Sequence, residues 1–249
     1  RTIIITGGTS GIGLDIAKFI YKKNYNISIA GLINKNEIKK IKLLFNSNRS
    51  IVMNANLLNK KNLYKFVKNT TKKFKKIDVL VNNAGGAHGV DRVEDGKDSD
   101  WEAMFQSNAL GVLRVTRAIL PLMKPYPGGI ILNIGSIAGR VAYEGGSAYC
   151  ASKAAELSIT KALRLELNGT GLRVGSIDPG MAETEFSIVR LKGDKEKAEA
   201  VYSGIEPLAA EDVAEAIVWA ANRPPHVCID EILMMCTAQA APYKVSREA

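Results

Sequence analysis

The chain has 249 residues, of which 46% are hydrophobic, and its formal net charge is +9. This length suits one α/β domain with a sizeable core, and no apolar run approaches the ~18 residues that a membrane-spanning helix needs. No secretory signal is visible, and the cysteines Cys150, Cys228 and Cys236 lack metal-ligand spacing, so we expect a reducing, cytoplasmic setting and no metal site.

The positive charge is concentrated in residues 1–76. That stretch holds 17 of the 34 Lys and Arg residues but only two of the 25 acidic residues, Asp15 and Glu37. Such a skew could mark a nucleic-acid surface, but no recognition motif and no interleaving of arginine with aromatic residues accompanies it. We favour solvated helix faces, or a chain joined from two related parents near residue 77, and expect no nucleic-acid or membrane partner.

A short apolar strand at residues 2–6 leads into a turn with the spacing G-x-x-x-G-x-G and then into a helical pattern. Glycines permit a tight turn and close approach of the backbone to a pyrophosphate, while the helix N-terminus offers free N–H groups. A plain tight turn is the alternative to a cofactor site. The predicted cofactor-binding residues of this turn are Gly7, Thr9, Ser10, Gly11, Ile12 and Gly13.

Residues 26–31 form the second predicted strand, which ends without an acidic residue. In dinucleotide folds such an acid binds the 2′-hydroxyl of the adenosine ribose, so its absence favours NADP, with NAD as the alternative. The arginine expected beside a 2′-phosphate is missing too. Asn34 or Lys35 would then have to serve, unless Lys35 is an ordinary solvated residue at a helix start.

Strands and helices continue to alternate through helix 37–45, strand 51–53, helix 59–76 and strand 77–81. This alternation predicts right-handed crossovers and a parallel sheet, in which ligands bind beyond the carboxyl ends of the strands. The turn after the fourth strand reads Asn82-Asn83-Ala84-Gly85, and buried amides there can bridge neighbouring strands.

The second half of the chain carries candidate catalytic side chains. Asn108 lies within helix 101–123, where a poor helix former predicts a local irregularity that holds a water, with an exposed or capping asparagine as the alternative. Ser136 follows an apolar strand, and its hydroxyl can bond a substrate carbonyl or alcohol. Tyr149 and Lys153 share one face of helix 147–168, where the ammonium favours the phenolate and suits the phenol for proton transfer during hydride transfer. For this pair taken alone, the alternative is a surface helix that happens to carry an aromatic residue and a lysine.

Three further elements complete the predicted single domain, residues 1–249. They are a sixth strand at 172–177, a helix at 211–222 and a final strand at 228–233. Residues 181–206 are polar and partly helical, which is typical of a segment that covers a substrate, and we call them the lid.

In combination, the glycine-rich turn, Asn82-Asn83-Ala84-Gly85, Asn108, Ser136, Tyr149-x-x-x-Lys153 and Pro179-Gly180 resemble the short-chain dehydrogenase/reductase family. The resemblance covers nearly the whole chain. It implies a single-domain Rossmann fold with a seven-stranded parallel sheet and helices on both faces, and an NAD(P)-dependent oxidoreductase.

The resemblance also implies roles for individual residues. Tyr149 would be the acid/base and Ser136 would polarise the reacting oxygen. Lys153 would assist Tyr149 and bind the nicotinamide ribose, and Asn108 would support a proton relay. Further cofactor contacts are implied at Asn56, Leu57, Asn83, Ala84, Gly85, Pro179, Gly180 and Thr184, although Asn56 replaces the family's usual aspartate.

The family usually forms tetramers, so the resemblance implies a homotetramer. Its subunits would pair through the helices at about 101–123 and 147–168, with a second interface at the C-terminal strand.

Residues 178–194 look like one branch of the family, the NADP-dependent 3-hydroxy acid (serine 3-) dehydrogenases. That branch implies a 3-hydroxy acid such as serine or allo-threonine, or the corresponding oxo acid, as substrate. Arg190 and Lys192 could bind its carboxylate, or both could be surface residues. The arginine that usually follows the branch's second strand is replaced by Leu32-Ile33.

Two other interpretations stay open. The same machinery would serve a 3-oxoacyl- or acetoacetyl-thioester reductase or a broad carbonyl reductase. A cofactor-sensing scaffold is the alternative that is not an enzyme, and an intact set of catalytic side chains argues against it.

Overall fold

The core of the computed structural model, which describes residues 1–248, is a parallel sheet. Its strands in chain order are β1 (Thr2–Thr6), β2 (Asn26–Gly31), β3 (Ser50–Asn54), β4 (Val79–Asn82), β5 (Ile130–Ile134), β6 (Arg173–Pro179) and β7 (Glu231–Met234). They lie in the order β3-β2-β1-β4-β5-β6-β7. The central strands are buried along their whole length, because helices cover both faces, and such strands read as continuous apolar runs.

Nine α-helices accompany the sheet within the described residues. They are α1 (Gly11–Lys22), α2 (Lys35–Leu43), α3 (Lys60–Phe74), α4 (Asp98–Phe105), α5 (Gly111–Met123), α6 (Ser147–Glu166), α7 (Phe186–Arg190), α8 (Lys195–Ala200) and α9 (Ala210–Ala221). Apolar side chains of α1, α2 and α9 form one core with one face of the sheet. Those of α3, α5 and α6 form a second core on the opposite face. The predicted seven-stranded parallel sheet with helices on both faces is confirmed.

The predicted helix over residues 101–123 is interrupted. Between α4 and α5 the backbone forms a π-helical segment, Gln106–Leu110, and Asn108 lies at its centre with a fully buried side chain. π-Helical turns inside α-helices frequently accompany functional sites. The expected local irregularity is therefore confirmed, and the alternative of an exposed asparagine is wrong.

Amide side chains tie the strands together at their carboxyl ends, as the sequence predicts. The Nδ2 atom of Asn82 on β4 donates to Oδ1 of Asn133 on β5 at 2.8 Å. The Nδ2 atom of Asn83 donates to the backbone oxygen of Thr6 at 3.0 Å, which joins the ends of β4 and β1. These bonds fix the edge of the sheet at which ligands of parallel sheets bind.

The lid is held at its base and by the C-terminal segment. A parallel bridge pairs Ala182 with Leu208, where the Leu208 amide donates to Met181 at 2.9 Å. A hairpin that the sequence pattern did not predict, β8 (Gln239–Ala241) with β9 (Lys244–Val245), follows the sheet. Beyond it, Arg247 donates to the backbone oxygen of Val201 at 3.0 Å.

Candidate active site

A cavity of about 850 Å³ opens at the carboxyl ends of the central strands, a size typical of small-ligand sites. Most of the sequence-predicted site residues line it: Gly7, Ser10, Gly11, Ile12, Gly13, Asn56, Leu57, Asn83, Ala84, Gly85, Ser136, Tyr149, Lys153, Pro179, Gly180, Thr184 and Arg190. Thr9, Asn34, Lys35, Asn108 and Lys192 do not line it.

The glycine-rich turn forms a concave backbone surface, the cradle, whose shape requires glycine at several positions. Gly7 and Gly11 have φ angles of +64° and +49°. A Cβ atom on Gly13 would lie 2.3 Å from the backbone oxygen of Gly7 and 2.4 Å from Nδ2 of Asn83. The Ser10 side chain does not cap α1, so the N–H groups at the helix start remain available. The cradle therefore fits the pyrophosphate of a dinucleotide.

Beyond the end of β2, Asn34 and Lys35 lie outside the cavity, although the sequence predicts them as cofactor contacts. Asn34 caps α2, because its Oδ1 accepts from the amides of Asn36 and Glu37 at 3.0 and 2.9 Å. Lys35 is exposed, and the cavity wall on this side ends at Leu32. The predicted contacts of Asn34 and Lys35 with a 2′-phosphate stay predictions.

Thr9 faces the protein interior rather than the cavity. Its side chain is buried, and a Cβ atom on Gly31 would lie 2.0 Å from its Oγ1. The glycine at the end of β2 is therefore required so that the turn can pack against this strand.

Ser136 and Tyr149 bring two hydroxyl groups to the cavity. The Ser136 Oγ accepts a hydrogen bond from the Ala138 amide at 3.1 Å, which caps the short 3₁₀ turn after β5. Because the hydroxyl acts there as an acceptor, its own proton is free to be donated to a substrate oxygen. Tyr149 is buried on α6, and its ring packs 5.6 Å from that of Phe186 in the lid.

Lys153 lies one helical turn beyond Tyr149 and is held at two points. Its Nζ atom donates to the backbone oxygen of Ile134 at 2.8 Å and to Oε2 of Glu156 at 2.7 Å. Burial lowers the pKa of Lys153, but the charges of Glu156 and Tyr149 outweigh it, so the pKa is raised overall. Lys153 therefore carries its positive charge at neutral pH.

Asn108 supports the site from behind the cavity wall. Its Oδ1 accepts from the Gly86 amide, and its Nδ2 donates to the backbone oxygen of Gly86 and to Oγ of Ser152, each at 2.9 Å. The side-chain amide is thus fully used in joining the π-helical segment to α6 and to the loop after β4. The predicted proton relay through Asn108 stays a prediction.

The lid places the guanidinium of Arg190 above the rings of two tyrosines, Tyr143 and Tyr149. The Arg190 guanidinium lies 5.3 Å from the ring of Tyr143 and 5.6 Å from the ring of Tyr149. Burial raises the pKa of Tyr143 to about 12, although the charge of Arg190 opposes this, so Tyr143 stays protonated at neutral pH. Lys192 is turned away from the cavity and forms an ion pair of 2.8 Å with Asp100.

Two side chains of the site were missed in the sequence analysis. Glu156 follows Lys153 by three residues, so the helical spacing that pairs Tyr149 with Lys153 could also have identified it. Tyr143 lies in the loop before α6, where no periodic pattern predicts which way a side chain points.

Comparisons with known proteins agree with this geometry. The family model described as short chain dehydrogenase matches residues 1–194. The chain is 39% identical over 251 residues to an NADP-dependent 3-hydroxy acid dehydrogenase from Schizosaccharomyces pombe, with 100% of this chain and 97% of that protein covered. It is 36% identical over 251 residues to sulfoacetaldehyde reductase 2 from Chromohalobacter salexigens, with 99% and 98% covered.

A solved structure resembles the whole molecule. The closed form of a serine dehydrogenase complexed with NADP+ superimposes with a TM-score of 0.93 and 34% identity, and 100% of both chains is covered. The superposition thus includes the lid and the C-terminal segment. Within residues 1–248, none of the helices has the length and apolar character needed to cross a membrane.

Proposed function

Because the chain belongs to the short-chain dehydrogenase family, we propose that it is an NADP-dependent oxidoreductase that acts on free 3-hydroxy acids such as serine or allo-threonine. The observation that carries this proposal is the buried Tyr149–Lys153 pair at the cavity with the Arg190 guanidinium above the tyrosine ring. This arrangement offers a proton acceptor and an anion-binding group side by side.

The proton steps follow from the two hydroxyl groups. The substrate hydroxyl lies between Ser136 and Tyr149, where Ser136 donates a hydrogen bond to the reacting oxygen. Ionised Tyr149 takes the proton of the substrate hydroxyl as the C–H bond breaks. When bound, the oxidised nicotinamide cofactor supplies the acceptor for the hydride. In the reverse direction Tyr149 returns its proton to the substrate oxygen.

Lys153 has two tasks in this scheme. Its ammonium favours the ionised form of Tyr149 by charge alone. Its three protons allow a hydrogen bond to the nicotinamide ribose in addition to the bonds it already makes to Ile134 and Glu156. Burial strengthens both effects, because charges interact more strongly when water is excluded.

Arg190 is the group best suited to bind the substrate carboxylate. Its planar guanidinium can bind a carboxylate through two parallel hydrogen bonds, and it faces the cavity directly beside Tyr149. Lys192 is less suited, because it is engaged by Asp100 outside the cavity. We therefore assign Arg190 to the substrate and Lys192 to holding the lid against α4.

The experiment that tests this function follows reduced nicotinamide by its absorbance, with NADP or NAD as oxidant. L-Serine, L-allo-threonine, 3-hydroxybutyrate and the sulfonate isethionate are each offered. We expect turnover of a free hydroxy acid with NADP and slower turnover with NAD. If isethionate were the best substrate, the enzyme would instead be assigned to hydroxy sulfonates, an alternative suggested by the name of the related sulfoacetaldehyde reductase 2.

Two outcomes would contradict the proposal outright. Activity confined to acetoacetyl thioesters or uncharged ketones would keep the fold and the Tyr149–Lys153 pair but change the substrate class. Tight binding of NADP without turnover of any hydroxy acid would instead support a cofactor-sensing scaffold.

We also propose that the enzyme is a cytoplasmic homotetramer. Large apolar side chains stay exposed on the helices that the resemblance implicates, among them Phe105, Leu113 and Leu165, and on the edge strand β7 at Leu233. The three cysteines are free. Light scattering coupled to size exclusion should give four times the mass of one chain, and a stable monomer at micromolar concentration would refute the assembly.

A further inference from the structure

Glu156 is a buried acid to which the scheme above gives no task. It lies two helical turns beyond Tyr149 on the same face of α6, and its side chain is only 2% exposed. One carboxylate oxygen, Oε2, accepts from the Lys153 ammonium at 2.7 Å. Acids are rarely buried to this extent without a partner, and a buried pair costs free energy unless its geometry is good.

The surroundings of Glu156 leave Lys153 as its main partner. Among residues 1–248, the second oxygen, Oε1, has no hydrogen-bond partner. On α6 the charge that acts on Glu156 is that of Lys153, which in turn interacts with Tyr149, and Asp178 on β6 is the other acid whose charge reaches the site. Asp178 is itself bound by Arg140, which also binds Glu231 on β7.

The protonation of Glu156 is poised near neutrality. Burial raises the pKa of Glu156 to about 7, while the Lys153 ammonium acts in the opposite direction. The acid can therefore be charged or neutral within the range in which such an enzyme works, and its charge state alters the field at Lys153.

We propose that Glu156 is a positioning residue for the reaction, which anchors the Lys153 ammonium near Tyr149 and offsets part of its charge, thereby setting the pH range in which Tyr149 is ionised. The proposal rests on the function proposed above. It follows from the 2.7 Å contact, the burial of both partners and the face of α6 that they share with Tyr149.

Replacing Glu156 by glutamine removes its negative charge but keeps its shape, so the direction of the expected pH shift is defined. Above about pH 7, where Glu156 is charged, Glu156→Gln takes the counter-ion away from the Lys153 ammonium, so the whole charge of Lys153 favours the ionised form of Tyr149. The acid limb of the rate profile for oxidation then moves to lower pH. The buried ammonium also loses the anion that stabilises it, so it releases its proton earlier and the alkaline limb moves in the same direction.

The test compares Glu156→Gln with Glu166→Gln across the pH profile of kcat/KM for hydroxy acid oxidation. Glu166 is an exposed acid in the last turn of the same helix, so its substitution removes the same charge away from Lys153. We expect both limbs of the Glu156→Gln profile to move down by about one pH unit, which corresponds to about 1.4 kcal/mol. Glu166→Gln should keep the wild-type profile.

Glu156→Asp serves as a second variant that keeps the charge. Its profile should stay near that of wild type even if the shorter side chain lowers kcat. Coinciding profiles for wild type and Glu156→Gln, or equal shifts in the Gln and Asp variants, would overturn the proposal.

A readout without turnover separates this proposal from the proposed function. Ionised tyrosine absorbs in the ultraviolet, and this absorbance is followed against pH in the NADP complex. The part of the signal that is missing in Tyr149→Phe belongs to Tyr149 and reports its ionisation directly. Its midpoint should be lower in Glu156→Gln even if no hydroxy acid is oxidised. An unmoved midpoint would refute the role of Glu156, whereas absent turnover with a moved midpoint would refute only the substrate assignment.

Discussion

Tyr149→Phe is expected to lower kcat for hydroxy acid oxidation by about a thousand-fold, since a positioned proton-transfer group contributes about 10²–10⁴ in rate. The affinity for NADP should change by no more than a few-fold, because the substitution removes one oxygen and keeps the ring. That ring packs against Phe186, and phenylalanine preserves the contact. Steady-state kinetics together with a fluorescence titration of NADPH measure the two quantities separately.

Tyr143→Phe is the matched control for this prediction. Tyr143 also lies at the cavity and under Arg190, but burial holds its pKa at about 12, so it cannot act as a base near neutral pH. We expect a loss in kcat below ten-fold. Near-normal turnover in Tyr149→Phe, or equal losses in the two variants, would show that Tyr149 is not the proton acceptor.

Arg190→Leu is expected to raise KM for 3-hydroxybutyrate by between about ten- and a hundred-fold. Hydrogen bonds to a charged group contribute about 1.5–3 kcal/mol, and each 1.4 kcal/mol is a factor of ten. Oxidation of 2-butanol, which has no carboxylate, should be affected far less. Arg190→Lys should lie between wild type and the leucine variant, because lysine keeps the charge but not the planar fork.

Arg92→Leu controls for the loss of one positive charge near the cavity mouth. Arg92 is exposed and pairs with Glu144, a residue of the cavity rim. Its substitution should leave KM within about two-fold, since exposed ion pairs contribute little. If Arg190→Leu lowers activity towards 3-hydroxybutyrate and 2-butanol equally, Arg190 supports the lid and does not bind the carboxylate.

The sequence predicts those parts of the site whose geometry depends on residues close together in the chain. Tyr149 and Lys153 share a helix face because they are four residues apart, and the glycine-rich turn lies between a strand and a helix that the apolar pattern defines. A poor helix former at Asn108 was enough to predict the irregular segment. In each case the signal and the structure lie within a few residues of one another.

The parts that the sequence did not predict depend on contacts between distant residues, or on a local signal that was assigned another role. Gln239 accepts a hydrogen bond from the Met181 amide at 2.8 Å, and no local pattern indicates that pairing. Asn34 is the opposite case. With Glu37 three residues later it forms a capping box, a signature that the sequence contains and that gives its Oδ1 a structural task.

The bridge between Ala182 and Leu208 also determines how the lid can move. Because this bridge joins the two ends of the lid, we expect the segment between them to move about the bridge as a hinge. Arg247 is bonded to the lid near its base, so the C-terminal segment must follow the swing or yield. At the far end, the lid rests on Gly89 and on the exposed Lys192–Asp100 pair, which salt screens readily. We therefore expect substrate entry to break the contacts at the tip of the lid before those at its base.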